Sequence, residues 1–363
     1  MPPTPDHVAR LRLIRSDNIG PITYFQLLAR FGSAQAAIDA IPDLAARGGG
    51  RAPRLAATAE IEREMAEVER LGARYLFLGQ GLYPPLLAEL ETAPPALIVK
   101  GDLALLDRMS VALVGARNAS AAACRFARQL AQSLGAAGLV VVSGLARGID
   151  SAAHDGALET GTIGVIAGGI EIVYPPENEA RQRAIAERGV LIAEQPPGTE
   201  PRARHFPYRN RIIAGLTHGT VVVEAAPKSG SLITARCATE FGREVMAVPG
   251  SPLDPRAQGC NLLIREGATL IQNADDVLEA LSPLSRGPFR QPETDYSGPG
   301  PSADADETAR RTIADLLGPT PVPVDELVRQ SGLAPATVQT VLLELELAGR
   351  LDRHAGGRVS LVG

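Results

Sequence analysis

The feature that most constrains the fold is an alternation, between residues 108 and 282, of short apolar runs with longer helical patterns. Strands are predicted at residues 111–114, 139–142, 162–167, 190–193, 220–223 and 244–248. Helices are predicted between them, at residues 121–136, 149–158, 177–187, 207–215 and 231–241. Alternating strands and helices form βαβ units, so this region is predicted to be an α/β domain with a Rossmann-like, doubly wound parallel sheet. Ligands of such sheets bind beyond the carboxyl ends of the strands.

Two smaller modules flank this region. Residues 1–80 show helical periodicity interrupted at residues 18–21, which is typical of a small helical domain of the SAM-like or helix-hairpin-helix type. The Rossmann-like domain is assigned to residues 81–282, of which 81–107 carry two Pro-Pro pairs and are predicted to be a connector. Residues 283–307 are rich in Pro, Gly and Ser and predict a flexible linker. Residues 308–363 predict three helices and a β-hairpin, which is the order of a winged helix.

Composition excludes several classes of protein. A net charge of −5 over 363 residues excludes a protein that coats DNA through its overall charge, so any nucleic-acid affinity requires a local basic patch. The three cysteines lie far apart, which indicates a reducing compartment and neither a disulfide framework nor a metal site. No apolar run approaches the roughly 20 residues of a membrane span, and the first residues lack a signal-peptide pattern. We therefore expect a cytoplasmic protein without membrane contact.

Two of the predicted strand-to-helix turns combine glycine with arginine. The first carries Gly115, Arg117 and Ser120, of which Ser120 is a suitable helix N-cap. The second carries small residues and one cation, at Ser143, Gly144, Arg147 and Gly148. Glycine lets a ligand approach the backbone, and helix N-termini bind phosphate. The chain has no Gly-Lys dipeptide and no G-x-G-x-x-G pattern, so neither a P-loop nor a dinucleotide cofactor is predicted.

The densest basic cluster lies at residues 202–211, where four arginines occur with two interleaved aromatic residues and no acid. The contact residues predicted within it are Phe206, Arg209, Asn210 and Arg211. After the strand at 220–223, a further turn supplies a cation and small residues at a helix start, namely Lys228, Ser229, Gly230 and Ser231. Cations, aromatic rings and backbone amides together indicate a surface for a polyanion that carries bases.

Several segments, in this order along the chain, resemble the motifs of the DNA-processing protein A (DprA/Smf) family. They are V-G-A-R-x-x-S at 114–120, S-G-L-A-R-G-I-D at 143–150, Y-P-P-E-N at 174–178, F-P-Y-R-N-R-I-I-A-G at 206–215, V-E-A at 223–225, S-G-S-L-I-T-A at 229–235, V-P-G at 248–250 and G-C-N-L-L-I at 259–264. The resemblance implies a homodimeric binding protein rather than an enzyme. Such proteins bind and protect incoming single-stranded DNA in natural transformation and help to load the RecA recombinase onto it.

The resemblance also assigns positions in the site. Arg117 takes the place of the family's DNA-contacting arginine in the first motif. The phosphate-turn positions are Ser143, Gly144 and Arg147, and phosphate contacts are expected, chiefly from their chemistry, of Arg209, Arg211 and Lys228. Phe206 or Tyr208 would stack on a base, which contributes about 1–3 kcal/mol per base. No catalytic residue and no metal ligand is predicted.

The third helix of the predicted winged helix, at residues 335–348, departs from the pattern of a DNA-reading helix. It carries Glu344 and Glu346 and neither Lys nor Arg, whereas a major-groove helix brings cations to phosphates and Arg, Asn or Gln to base edges. The wing, in contrast, carries Arg350, Arg353 and Arg358. We therefore expect this domain to have a protein-contact or regulatory role, or to make a weak DNA contact through the wing.

Two other functions are weaker alternatives. A nucleotide-processing enzyme, such as a phosphoribohydrolase of the Rossmann-like LOG group, needs paired carboxylates, but residues 229–239 contain no acid. Glu194 and Glu224 each end a strand without an evident partner in the sequence. A transcription regulator that senses a nucleotide in the Rossmann-like layer would need a recognition helix with cations, which residues 335–348 lack. Single-stranded DNA binding is therefore the leading hypothesis.

Overall fold

The computed structural model describes residues 4–285, 305–354 and 356–362. These residues form two compact units. One combines the segment up to Arg63 with the segment from residue 305 onward, and the other runs from Glu64 to residue 285. Most of the linker predicted at residues 283–307 lies outside the described residues.

Four helices open the chain, namely α1 (Pro5–Ile14), α2 (Pro21–Phe31), α3 (Ala34–Arg47) and α4 (Thr58–Arg70). Their ends follow local rules. Thr4 caps α1 by accepting a hydrogen bond from the His7 backbone N–H at 3.3 Å. Gly32 ends α2 in the left-handed region with φ 75°, and Ser33 then caps α3. This is the predicted small helical domain, although its compact unit ends at Arg63 rather than at residue 80.

The second unit is built on one sheet. Its described strands are β1 (Arg74–Phe77), β2 (Ala96–Gly101), β3 (Ser110–Val114), β4 (Val140–Ser143), β5 (Thr162–Ile166), β6 (Val190–Ala193), β7 (Gly219–Val222), β8 (Glu244–Ala247) and β9 (Thr269–Leu270). The helices are α5 (Pro85–Ala88), α6 (Ala121–Ala136), α7 (Ile149–Ala157), α8 (Glu179–Arg188), α9 (His205–Gly215), α10 (Ser231–Glu240), α11 (Gln258–Arg265) and α12 (Ala274–Ser285).

The strand order is β1-β2-β6-β5-β4-β3-β7-β8-β9. Strands β3 to β9 pair in parallel, and β1 and β2 extend the sheet antiparallel. The chain leaves β3 toward β6 on one side and later returns to β7 on the other, so the direction of winding changes between β3 and β7. Adjacent residues of β3 enter separate hydrophobic cores, with Ala112 in one and Leu113 in the other. Helices thus cover both faces, and the predicted doubly wound fold is confirmed.

Strands β3 to β8 begin and end within about two residues of their predicted bounds, whereas the short parallel strand β9 has no predicted counterpart. The predicted connector at 81–107 differs from the structure because it contains β2, whose Ile98 pairs with Ala193 of β6. An antiparallel strand needs no crossover helix. The βαβ pattern therefore does not reveal it, and the neighbouring Pro-Pro pairs indicate a loop.

The described residues from 305 onward form the predicted winged helix. Its elements are α13 (Glu307–Leu316), β10 (Val322–Pro323), α14 (Val324–Ser331), α15 (Pro335–Leu347), β11 (Leu351–His354) and β12 (Arg358–Leu361). The strands pair in the order β10-β12-β11, and β11 and β12 form the wing. Ile313, Leu327 and Val341 are buried at the centre of this domain.

Across the ranges that the structure describes, none of the helices is both long enough and apolar enough to traverse a bilayer.

Candidate nucleic-acid interface

A cleft lies where the winding of the sheet changes direction, beyond the carboxyl ends of β3 and β7. In open α/β sheets this is the place where ligands bind. The cleft has a volume of ≈ 840 Å³ and is lined by residues that follow β3, β4, β7 and β8 and by the first turns of α9. A smaller cavity of ≈ 260 Å³ shares part of its lining, including Arg117, Phe206 and Arg209.

The turn after β3 is shaped by a close approach and by a carboxylate. A side chain at Gly115 would overlap Ile149, so only glycine fits there. Ser120 caps α6, and both its backbone N–H and its hydroxyl donate to the Glu224 carboxylate, at 3.0 and 2.7 Å. Arg117 projects from this turn and is exposed. No ion pair to it occurs in the described part of the chain.

The turn after β4 is a cradle that the chain fills with its own carboxylate. The buried Asp150 accepts hydrogen bonds from the backbone N–H groups of Gly144 and Ala146, at 3.1 and 3.3 Å. Burial raises the pKa of Asp150, and the nearby positive charge of Arg209 opposes that rise. Gly148 has a φ of 73° and ends the turn. These two amides are therefore engaged, contrary to the expectation that this turn presents its backbone to phosphate.

Arg209 lies beneath this turn rather than at the surface. Its side chain donates to the carbonyl oxygens of Gly144 and Val165, the second at 2.7 Å, and the residue is 5% exposed. Burial lowers its pKa to about 10, and the negative charge of Asp150 opposes that shift. The expected phosphate contact by Arg209 is therefore replaced by a structural one, since its donors face carbonyl groups.

Arg211 lies on α9 and does not line the cleft. It forms an ion pair with Glu194 at 2.5 Å and donates to the Thr92 carbonyl oxygen at 2.5 Å. Ser143 is also turned inward, because its hydroxyl donates to the Leu113 carbonyl oxygen at 2.6 Å in the core. The expected contacts of Arg211 and Ser143 with DNA are not compatible with these partners.

Aromatic rings stand beside the exposed cation. The Arg117 guanidinium lies over the Phe206 ring, with its carbon 4.8 Å from the ring centroid. Tyr174 is tilted against the same ring at 5.5 Å between centroids, and it is largely exposed. Tyr208 is 61% exposed but does not line the cleft. A base that enters the cleft would therefore meet Phe206 and Tyr174 rather than Tyr208.

The turn after β7 forms the other side of the cleft. Lys228 is exposed and, like Arg117, has no ion-pair partner within the described ranges. The hydroxyls of Ser229 and Ser231 are 2.8 Å apart, and the Asn210 amide donates to the Gly230 carbonyl oxygen at 3.2 Å. Asn210 thus fixes the turn that carries the lysine.

The predicted residues divide into three groups. Those that line the cleft or the adjoining cavity are Gly115, Arg117, Gly144, Arg147, Phe206, Arg209, Asn210, Lys228, Ser229, Gly230 and Ser231. Ser120, Ser143 and Gly148 shape the turns without lining either space, and Arg211 lies elsewhere. We call the exposed cations Arg117, Arg147, Lys228 and Arg256 the rim, and the buried pair Arg209 and Asp150 the floor.

The sequence-based prediction omits Arg256, which lines the cleft from the loop after β8. Its guanidinium is paired with Asp254 at 2.8 Å and lies 4.0 Å from Glu224. The rule that ligands sit at strand ends could have found it, because it follows the predicted strand 244–248. The Arg147 side chain is likewise paired, with Glu177. Both pairs are exposed, so each can exchange its carboxylate for a phosphate at small cost.

No group of three or more His, Cys, Asp or Glu within the described ranges is arranged to hold a metal ion. The cleft offers exposed cations and two aromatic rings, which suit an anion with a flat, apolar component.

Comparison with known proteins gives the family. A family model described as DNA recombination-mediator protein A matches residues 74–282. The chain belongs to the DprA family. A DprA-like N-terminal HHH domain matches residues 4–66, and a DprA winged helix domain matches residues 297–357. All three modules predicted from the sequence thus have counterparts in this family.

Individual relatives agree with this assignment. Protein Smf of Escherichia coli (strain K12) is 37% identical over 304 residues, which cover 83% of this chain and 81% of that protein. The DNA processing protein DprA of Bacillus subtilis (strain 168) is 42% identical over 225 residues, covering 61% and 76%.

Two solved DprA structures share the fold. The X-ray structure of DNA processing protein A from Streptococcus pneumoniae has a TM-score of 0.65 at 35% identity and covers 77% of this chain and 98% of that one. DNA processing protein A from Helicobacter pylori, whose structure concerns its single-stranded DNA binding mode, has a TM-score of 0.53 at 29% identity and covers 58% and 96%.

Proposed function

We propose that this DprA-family chain binds single-stranded DNA in the cleft between the turns after β3 and β7. The observation that carries the proposal is the convergence of Arg117 and Lys228, from distant parts of the sequence, on one cleft that also holds Phe206 and Tyr174. A backbone of phosphates suits the two cations, and unstacked bases suit the rings. The described single-stranded DNA binding of the Helicobacter pylori relative supports the same ligand.

The cations, rather than the helix N-termini, carry the proposed contacts. Asp150 and Glu224 already accept hydrogen bonds from backbone amides of the turns after β4 and β3. A phosphate at either place would meet a carboxylate and be repelled. DNA is therefore held along the rim, with phosphates at Arg117 and Lys228 and with Arg147 and Arg256 released from their surface pairs.

We further propose that the protein acts in natural transformation, where it protects incoming DNA and loads the RecA recombinase onto it, in the cytoplasm and as a homodimer. These points rest on the family resemblance. A dimer would make engagement of the second cleft intramolecular and raise the avidity for a long strand.

The strand-end carboxylates Glu194 and Glu224 and the buried Asp150 are not arranged for catalysis, which favours binding as the function. Glycosidic cleavage needs two carboxyl groups facing a substrate. Glu194 is paired with Arg211, Glu224 accepts from Ser120, and Asp150 is buried beneath a turn. Release of free base from nucleoside monophosphates by the purified protein would revive the enzymatic alternative.

The test is a titration of labelled oligo-dT at several salt concentrations. Two to four phosphate contacts predict a slope of log K against log salt between about −1.4 and −2.8, from about −0.7 for each contact on a single strand. Affinity that is indifferent to salt would contradict the proposed interface. Loading is tested separately, by RecA filament formation on DNA coated with single-strand-binding protein. Stimulation by this protein is expected, and its absence would remove that part of the proposal alone.

A further inference from the structure

The third helix of the winged helix, α15, is buried on two opposite sides. Val338, Val341, Leu342 and Leu345 pack into the core of the winged helix. Leu343 and Leu347, on the other side, belong to the core of the N-terminal helices together with residues such as Leu27 and Ile41. In helix-turn-helix domains that read DNA, the side of this helix facing away from the domain's own core enters the major groove. Here that side is covered by protein.

The loop after α3 is built for this contact. Gly48 has an ordinary helical φ of −70°, so its own backbone conformation does not require glycine. A side chain at Gly48 would overlap the carbonyl oxygen of Glu344, and one at Gly50 would overlap Ala348. The Gly48-Gly49-Gly50 sequence therefore lets the end of α15 lie directly against this loop.

Polar groups of the wing join the same contact. The Arg350 guanidinium donates to the Gly48 carbonyl oxygen at 3.0 Å. Arg353 pairs with Glu346 at 2.8 Å and also reaches the Gln26 side chain of α2 at 3.4 Å. The Gln26 amide in turn donates to the Gln339 side chain at 3.0 Å. Two of the three wing arginines that the sequence offers for DNA are thus directed to the N-terminal helices or to α15.

The two carboxylates of α15 are also engaged inside the protein. Glu344 is 0% exposed and accepts two hydrogen bonds from Arg310 of α13, at 2.8 and 3.0 Å. With Glu346 it places two carboxylates on a helix that a DNA reader would line with cations. The surroundings of α15 are therefore those of a protein interface.

We propose that the winged helix of this chain is a docking domain whose partner is its own N-terminal helical domain. The helix side that other winged helices press into the major groove forms the joint. Residues 4–57 and the described residues from 305 onward are then held together through α15. In the sequence, the Pro- and Gly-rich segment between residues 286 and 304 separates the winged helix from the Rossmann-like domain. The winged helix does not read duplex DNA while it is docked.

The test begins with the full chain, into which a site for a sequence-specific protease is placed between residues 290 and 300. After cleavage, the C-terminal fragment is expected to co-elute with the remainder on size exclusion at about 10 μM, because the joint buries a shared apolar core. Separation of the two fragments at that concentration would overturn the proposal.

Gly48→Ala is the variant that probes the joint most selectively. Alanine suits the helical φ at this position, so the N-terminal domain folds, but its methyl group meets the Glu344 carbonyl oxygen. We expect the affinity of the cleaved C-terminal fragment for the remainder of the chain to weaken by about tenfold or more. Gly20→Ala is the matched control, since nothing lies within 4 Å of the added methyl group, and it should leave retention unchanged. Equal retention of the Gly48→Ala and Gly20→Ala proteins would count against the joint.

A second arm asks whether the wing contacts DNA. Arg353→Gln removes the pair with Glu346 and weakens the contact with Gln26. It is expected to lower fragment retention and to leave the affinity of the full chain for random-sequence duplex within about twofold of wild type. A fall in duplex affinity with a shallower salt slope, at unchanged retention, would show a DNA-reading wing and refute the docking role.

Discussion

One arginine of the rim and one of the floor lie against the same aromatic ring, yet they have different roles. The guanidinium carbons of Arg117 and Arg209 lie 4.8 and 5.9 Å from the Phe206 centroid. Arg117 is exposed and leaves its donors to solvent, whereas Arg209 is buried and directs its donors to the Gly144 and Val165 carbonyl groups. The contrast teaches that a cation at a strand end is not by itself a ligand contact. Its role depends on which acceptors the fold has already given it.

The largest expected effect is a loss of stability when Arg209 of the floor is replaced. Arg209→Met removes the donors to two buried carbonyl groups and a positive charge that favours the ionised form of Asp150. We expect the free energy of unfolding to fall by about 2–6 kcal/mol, because each buried acceptor left unsatisfied costs about 1–3 kcal/mol. Equilibrium urea denaturation measures this. Arg125→Met, on the exposed side of α6, is the control and should change stability by less than about 0.5 kcal/mol.

A stable Arg209→Met protein that no longer binds oligo-dT would reverse the comparison. Arg209 would then contact DNA, and the floor would be part of the rim.

At the rim, Arg117→Ala should weaken binding of oligo-dT by about tenfold to a hundredfold and leave the free energy of unfolding nearly unchanged. The reason is the loss of a charge-assisted hydrogen bond to phosphate, worth about 1.5–3 kcal/mol. Fluorescence anisotropy at fixed salt measures the affinity, and Arg125→Ala serves as the matched control. Equal binding by the Arg117→Ala and wild-type proteins would remove Arg117 from the interface.

Lowering the pH should reduce the stability of the protein through a buried histidine, without changing the charge of the rim cations. His154 is fully buried on α7, and its Nδ1 lies 2.8 Å from the Thr162 hydroxyl. That hydroxyl donates its own hydrogen to the Val141 carbonyl oxygen, so it accepts from the Nδ1–H of His154. Burial lowers the pKa of His154 to about 3, from 6.5 in an unfolded chain. Because the folded state holds the neutral ring, its stabilisation is complete above pH 6.5 and is lost as the pH falls toward 3.

At pH 5 the loss attributable to His154 should be about 2 kcal/mol, at 1.36 kcal/mol per pH unit. Urea denaturation between pH 7.5 and 5 measures it. His154→Asn keeps a donor for Thr162 and cannot be protonated, so its stability should depend less on pH in this range. An equally steep dependence in that variant would assign the acid sensitivity to other groups.

Phe206→Leu should weaken oligo-dT binding by about fivefold to thirtyfold, because an aliphatic side chain fills the space but does not stack on a base. The effect should be the same at low and high salt, since no charge is lost. Tyr208→Leu is the matched control, because Tyr208 is exposed outside the cleft. A larger loss in the Tyr208 variant would place the bases on the outer surface of α9.

The smallest expected effect is that of Lys228→Gln, which should reduce affinity by a few-fold and make the salt slope shallower by about 0.7. Lys228→Arg keeps the charge and should retain both values. An unchanged slope in Lys228→Gln would show that the strand does not reach the turn after β7.

Much of this arrangement follows from the sequence. The β-branched runs predict the parallel strands, and the strand-end rule then gathers residues 115–118, 144–147 and 228–231 onto one cleft. The sequence also indicates that Arg209 points inward. Arg209 precedes Ile212 and Ile213 by three and four residues on α9, so it shares their buried face.

Other features depend on contacts distant in sequence. Nothing local indicates that Glu194 pairs with Arg211, or that Glu224 accepts hydrogen bonds from the distant Ser120. The apolar residues around most of α15, as in V-L-L-E-L-E-L at 341–347, indicate that this helix is buried on both sides. The sequence does not indicate which domain covers it.

A crystal structure of the chain with a short oligo-dT tests the central claim most directly. We expect a phosphate oxygen within hydrogen-bond distance of the Arg117 guanidinium, a base against Phe206, and Arg209 still bound to the carbonyl groups of Gly144 and Val165. DNA bound away from the cleft, or Arg209 turned to a phosphate while Arg117 faces solvent, would contradict it.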